Sequence, residues 1–184
     1  MRRAVFLDRD GVLSVPEFRD GRSFAVKRLE DFVLYDDAVD SVKTLRAAGF
    51  LVVVATNQPD VGAGLVPRDV IEAMHNRLKA WTAVDGVEVS YETREQGGPR
   101  RKPMPGMLLD AAKNWAIDLG ASYMVGDRAS DIECGNAAGC RSVYIDRGYT
   151  AEPQPAGALA SVASLREAVQ IILEDGGIKP VPSL

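Results

Sequence analysis

The sequence predicts an α/β fold with a mainly parallel sheet, on two observations. Short β-rich runs, AVFLD (4–8), FLVVVAT (50–56), VEVSY (87–91), SYMVGD (122–127) and RSVYID (141–146), alternate with helical patterns along the chain. The central runs are continuously apolar rather than alternating, as expected of strands covered by helices on both faces. The bulk numbers agree: 184 residues, 46% hydrophobic and 26% charged, suffice for a core that needs no staples.

Taken in order, AVFLD is the first strand, and residues 14–36 follow it without strong periodicity, so a small flap is expected there. Ala38, Val42 and Leu45 form an apolar stripe that predicts a helix stopped by Gly49. After the second strand, Ile71, Met74, Leu78 and Trp81 form another stripe behind Pro67, and Leu108, Ala112, Trp115 and Leu119 a third behind Pro105. Ser130 with Glu133 reads as a capping box for a short helix that ends at Gly139. Beyond Ala151 the chain is Pro/Ala-rich, then SVASLREAVQIILED (161–175) predicts a last amphipathic helix before a loose GGIKPVPSL end. One domain is expected, with a core over 1–150 and residues 151–184 adding a helix and tail to it.

A net charge of −4 argues against broad attraction to nucleic acid or an anionic membrane, so an anionic ligand must be met by local positive charge. The N-terminus MRRAVFLDRDG is too short in apolar residues for a signal peptide, and no run approaches ~18 apolar residues, which predicts a cytoplasmic protein. Cys134 and Cys140 are expected to be reduced, small apolar residues. The single histidine, His75, sits beside Met74 on the more polar side of its helix, which predicts a surface position without chemical duty.

The chemistry gathers at strand ends. Asp8 and Asp10 are two residues apart after the first strand, and in extended chain such residues project from one face. That spacing alone is a weak signal; its position is a stronger one, because ligand sites in open α/β sheets collect at the C-terminal edge of the strands. Thr56-Asn57-Gln58 follows the second strand, Arg101-Lys102 precedes the helix after the third, and Asp127 and Asp131 follow the fourth. Two carboxylates ~4 Å apart repel by ~4 kcal/mol at an effective dielectric of about 20, so such a cluster needs a cation. Hard oxygen ligands of this kind suit Mg²⁺.

With those residues in view, the chain resembles the haloacid dehalogenase-like (HAD) phosphatases, through DRDGV (8–12), ATNQ (55–58), RKP (101–103) and GDRASD (126–131), all in the family's order and strand context. TNQPDVGAG (56–64), VIEAMHNRLKAW (70–81) and RKPMPGMLLDAA (101–112) are most similar to the D-glycero-D-manno-heptose-1,7-bisphosphate phosphatases and the related histidinol-phosphate phosphatases. The resemblance implies a three-layer, Rossmann-like fold without a large cap domain. It implies a Mg²⁺-dependent phosphatase acting on a small soluble phosphate monoester, a sugar bisphosphate first and histidinol phosphate or another small metabolite second.

By the same resemblance Asp8 is the nucleophile, forming an aspartyl-phosphate. Asp10 is the general acid and base and lends its backbone carbonyl to the metal. Thr56 and the amides around Asn57 and Gln58 bind phosphoryl oxygens, and Lys102 offsets the charge developing there. Asp8, Asp10 and Asp127 hold Mg²⁺, and Asp131 supports the site. Arg101 and Arg128 are expected to contact substrate, with the flap residues Glu17 and Arg19 as further candidates. Members of this subfamily commonly carry a zinc loop of Cys and His before the Arg-Lys pair, whereas YETREQGGPRRKP (91–103) contains neither, so no zinc is expected.

Competing classes fare worse. A receiver-type phospho-accepting domain would resemble its own family by an aspartate after the third strand, where this chain reads SYETREQ. No basic stripe with interleaved aromatics favours a nucleic-acid-end phosphatase. The expected partner is a small phosphorylated metabolite, with neither nucleic acid nor membrane, for a monomer or weak homo-oligomer.

Overall fold

The computed structural model describes residues 1–178; the end of the expected loose tail, residues 179–184, lies outside them. Strand β1 (Ala4–Leu7) leads into a hairpin of β2 (Glu17–Arg19) and β3 (Arg22–Phe24), then helix α1 (Ala38–Ala47). Next come β4 (Leu51–Asn57), the single turn α2 (Pro59–Gly62), α3 (Arg68–Thr82) and β5 (Gly86–Ser90). The chain continues with α4 (Gly106–Trp115), β6 (Tyr123–Gly126), α5 (Ala129–Ala138), β7 (Arg141–Ile145), β8 (Ala160–Val162) and α6 (Leu165–Asp175). The large sheet has the order β5-β4-β1-β6-β7-β8, and each neighbouring pair is parallel.

The continuous apolar runs are explained by alternate burial into two layers. Val5, Leu7, Val52 and Val54 join a core with Val42 and Leu45 of α1, Leu78 of α3 and Ile172 of α6. Ala4, Phe6, Leu51, Val53 and Ala55 face the other way, onto Met107, Leu108 and Ala111 of α4 and Cys134 of α5. With both layers closed, the strand ends are the place where polar groups emerge. Phe6 is fully buried in the second of these layers. Phe6→Ala is therefore expected to lower unfolding stability by about 3–5 kcal/mol, read from urea melts.

The flap is a hairpin in which Arg19 pairs with Arg22 across a two-residue turn. Asp20 and Gly21 both take positive φ, 51° and 73°, the conformation a tight hairpin of matching twist requires. The N-cap of α5 lies two residues before the expected one: it is Arg128, Ser130 lies inside the helix, and the Asp131 carboxylate accepts from Arg128 N at 3.1 Å. Gly139 does end it, at φ 89°. The expected helix over 161–175 divides, because β8 takes its first residues as a sheet edge and Ser164 then caps α6 by accepting from Glu167 N. Leu119 falls outside α4, in a 3₁₀ turn.

Two stripe assignments are corrected. Trp81 is 48% exposed, since Thr82 rather than Trp81 continues the buried face of α3. His75 is buried on that same face, against the expectation of a surface residue. Cys134 and Cys140 are free and buried, and burial pushes both thiols up to about 12. No helix among the described residues is long and apolar enough to cross a membrane.

Candidate active site

β1, β4 and β6 lie side by side at the centre of the sheet, so the residues that follow them converge. Asp8 leaves β1 with its N–H on Val125 O of β6 at 2.9 Å. Lys102 reaches the same point from the loop before α4 and is 3% exposed. Its ammonium donates to Asp8 Oδ1 at 2.9 Å, Asp131 Oδ1 at 2.6 Å and Ala55 O at 2.8 Å, so all three protons are used. Asn57 holds this lysine in place with a reciprocal pair: its amide donates to Lys102 O and accepts from Lys102 N, each at 3.1 Å.

One oxygen each from Asp8, Asp127 and Asp131 lies within 4.8 Å of the others, all three residues being buried. Three acids thus face one lysine. Burial pushes the Asp8 carboxyl up to about 6, with Asp131 and Asp10 adding and Lys102 opposing. Asp127 is raised well above the usual aspartate range by burial and then by Asp8 and Asp131. Asp127 Oδ1 is buried without a hydrogen-bond partner. An orphaned carboxylate oxygen beside two further acids fits a hard divalent cation such as Mg²⁺. The backbone is shaped to the same end: a Cβ at Gly11 would lie 1.8 Å from Asp127 Oδ2, and Gly11 takes φ 87°.

The sign of the pH effect follows from these shifts. A carboxyl raised in the folded state holds a proton that the unfolded chain releases, so metal-free protein loses stability as pH climbs from the ordinary aspartate range through about 6. A cation binds the ionised set and recovers that loss. The rise in Tm on adding saturating Mg²⁺ is therefore expected to be larger at pH 7.5 than at pH 5, by calorimetry; an increment that shrinks with pH would contradict the carboxylate cluster as its origin.

Asp10 is directed elsewhere. Its carboxylate is gripped by the buried Arg9 guanidinium, with Oδ2 at 2.7 Å, and also accepts from Gln58 Nε2 at 2.8 Å and Ser14 Oγ at 3.1 Å. Its side chain stands outside the three-acid group, though Asp10 still lines the cavity. Arg9 is fully buried and lies over the Phe32 ring at 5.5 Å. It also sits 3.3 Å from His75 Nε2. Burial, then the Arg9 charge, holds His75 down at about 4, so it is neutral and can accept from the guanidinium. This Arg9–His75 support was not foreseen, although Arg9 between two acids was the signal for it.

Thr56 is almost fully buried, and its hydroxyl accepts from Gln58 Nε2 at 3.0 Å. Gln58 Nε2 donates to Thr56 Oγ1 and Asp10 and the Asn57 amide pairs with Lys102, and both residues line the cavity. A cavity of about 410 Å³ opens above the acids, with Arg94, Arg101 and Arg128 on its walls and Ser23, Phe24 and Ala25 of the flap at its mouth. Arg101 donates to Glu92 O at 2.9 Å. Burial and the nearby Arg94 charge lower its pKa, with Glu92 and Glu95 opposing. Glu17 and Arg19 do not line this cavity; they pair with each other at 3.8 Å, and Arg19 covers Phe24.

A parallel sheet whose C-terminal edge gathers an acid pair, a three-carboxylate group and a buried lysine from the loop before α4 has the architecture of a HAD-type hydrolase. The family model described as HAD-hydrolase-like matches residues 99–168. Over 151 residues the chain is 37% identical to D-glycero-beta-D-manno-heptose-1,7-bisphosphate 7-phosphatase of Pseudomonas putida, covering 79% of this chain and 83% of the relative. It is 33% identical over 177 residues to the enzyme of that name from Pseudomonas aeruginosa, covering 89% and 97%. The crystal structure of D,D-heptose 1,7-bisphosphate phosphatase from B. bronchiseptica, complexed with magnesium and phosphate, superposes with a TM-score of 0.79 at 25% identity, covering 94% and 99%. The chain belongs to the family of HAD-like D-glycero-D-manno-heptose-1,7-bisphosphate 7-phosphatases, and its fold is the three-layer one of those phosphatases.

Proposed function

We propose that this phosphatase hydrolyses a small soluble sugar bisphosphate in the cytoplasm, D-glycero-D-manno-heptose 1,7-bisphosphate first, with Mg²⁺ and without zinc. The observation that carries the chemistry is the Asp8–Asp127–Asp131 group, with Lys102 paired to Asp8 and Asp131 and Asp127 Oδ1 buried and unpartnered. Asp8 and Asp127, with the backbone carbonyl of Asp10, would hold Mg²⁺, which when bound neutralises charge on the phosphoryl oxygens and the nucleophile. Asp131 fixes Lys102 at 2.6 Å.

Asp8 attacks phosphorus through a carboxylate oxygen, the phosphorus–oxygen bond to the sugar breaks, and Asp10 gives the leaving alkoxide its proton. Asp10 then takes a proton from the water that attacks the aspartyl-phosphate, releasing inorganic phosphate and restoring Asp8. Lys102 and the backbone around Thr56 and Asn57 offset charge on the transferred group. Arg94, Arg101 and Arg128 give the wall of the cavity the charge a second phosphate needs, and this favours a bisphosphate over a monophosphate of an amino alcohol. The loop over 91–103 bears no Cys or His, which is why zinc is left out.

The test is kcat/KM with Mg²⁺ across heptose 1,7-bisphosphate, other sugar phosphates, histidinol phosphate and a chromogenic aryl phosphate. The heptose bisphosphate is expected to lead. A ranking headed by histidinol phosphate, or one in which no small ester exceeds the aryl phosphate, would overturn the substrate assignment.

A further inference from the structure

Tyr149 lies in the loop after β7 and is 6% exposed. Its hydroxyl donates to Asp127 Oδ2 at 2.5 Å. The other oxygen of the same carboxylate, Oδ1, is the buried atom without a partner. One oxygen is clamped while the other is left bare, which is how an outer partner orients a metal-binding carboxylate. The clamp is tight: a Cβ at Gly11 would fall 1.8 Å from Asp127 Oδ2 and 3.0 Å from the tyrosine hydroxyl.

The tyrosine ring has a second contact. It stacks on Phe18 of the flap, centroids 5.9 Å apart and planes 23° from parallel. Three more bonds seat the flap on the same side of the site. Ala151 N donates to Gly21 O at 3.1 Å. Arg128, next to Asp127, donates to the Ser23 carbonyl and to Ser23 Oγ. The hairpin that contributes Ser23, Phe24 and Ala25 to the cavity is thus joined to the residue that aims Asp127.

We propose that Tyr149 is a positioning residue that aims Asp127 Oδ1 at the divalent cation and ties that aim to the seating of the flap over the cavity. The inference rests on the metal reading above. A ring that only filled space would be indifferent to loss of its hydroxyl, because Tyr149→Phe keeps the Phe18 stack. The test is calorimetric titration of MgCl₂ into the metal-free full chain, for wild type, Tyr149→Phe and Phe18→Ala. Tyr149→Phe is expected to weaken Mg²⁺ binding about tenfold, with kcat at saturating Mg²⁺ falling less than the affinity does. Phe18→Ala keeps the hydroxyl but loosens the ring; it should shift Mg²⁺ affinity the same way by less and raise the substrate KM. Equal Mg²⁺ affinity in wild type and folded Tyr149→Phe overturns the role of Tyr149 alone. Wild type that takes up no Mg²⁺ overturns the metal reading and this inference with it. Should Tyr149→Phe lose its fold by circular dichroism, unchanged Mg²⁺ affinity in Phe18→Ala overturns the link to the flap.

Discussion

Asp8→Asn is expected to lose turnover by roughly 10⁴-fold or more, while its metal-free form becomes more stable at pH 7 than wild type. Both effects come from one carboxylate. In the folded state Asp8 is buried beside Asp131 and Asp10, and its pKa of about 6 means that ionisation near neutrality works against folding. Asparagine removes that charge, and Lys102 keeps Asp131 and Ala55 O as acceptors. An amide is also a poor nucleophile toward phosphorus, so no phosphoenzyme forms. Steady-state kinetics and thermal melts in EDTA measure the two halves. Rapid phosphate release by purified Asp8→Asn, or a fall in its metal-free Tm, would contradict the assignment.

Lys102→Met is the second large effect, and here stability moves the other way. Removing the ammonium leaves Asp8 and Asp131 buried without their shared cation, and breaking a buried ion pair from one side costs about 3–5 kcal/mol. Loss of a preorganised charge at the transferred group is expected to lower kcat by about 10²–10³. Mg²⁺ enters the same group of acids, so it should recover part of the stability but not the rate. Urea melts with and without Mg²⁺, paired with kcat, read the difference. Equal loss with and without Mg²⁺ would show that the cation does not reach these acids.

What the sequence made legible was the set of strand ends. The apolar runs located β1, β4, β6 and β7, and position after a buried strand raised Asp8, Thr56 and Asp127 above the many acids and hydroxyls of the surface. The direction in which each side chain would turn was not legible. Asp10 follows the period-two rule, yet Arg9, itself without any route to solvent, captures its carboxylate, and only the fold shows that the guanidinium has His75 and Phe32 on its other sides. Gln58 turns inward for the same reason, toward Asp10.

A stripe drawn through Trp81 puts His75 on the polar side of α3, whereas the structure buries it. The buried set Ile71, Met74, His75, Leu78 and Thr82 has the same helical period, and periodicity alone does not choose its edge. Two local signals were present but undervalued. Asp20-Gly21 marks the hairpin turn of the flap. Ser164 with Glu167 marks the true start of α6, leaving Ala160–Val162 to pair with β7. Tyr149 carried no signal at all: it sits in a loop without period, and only the approach of that loop to Gly11 and Asp127 gives it a task.

The claim that unites these features is that Asp8 itself receives the phosphoryl group. Rapid-quench turnover of substrate with Mg²⁺, followed by reduction with tritium-labelled borohydride and peptide mass spectrometry, tests it directly. The expected result is a reduced, homoserine-bearing peptide at position 8 in wild type and none in Asp8→Asn. A label at Asp10, Asp127 or Asp131, or full turnover with no labelled peptide, would contradict it.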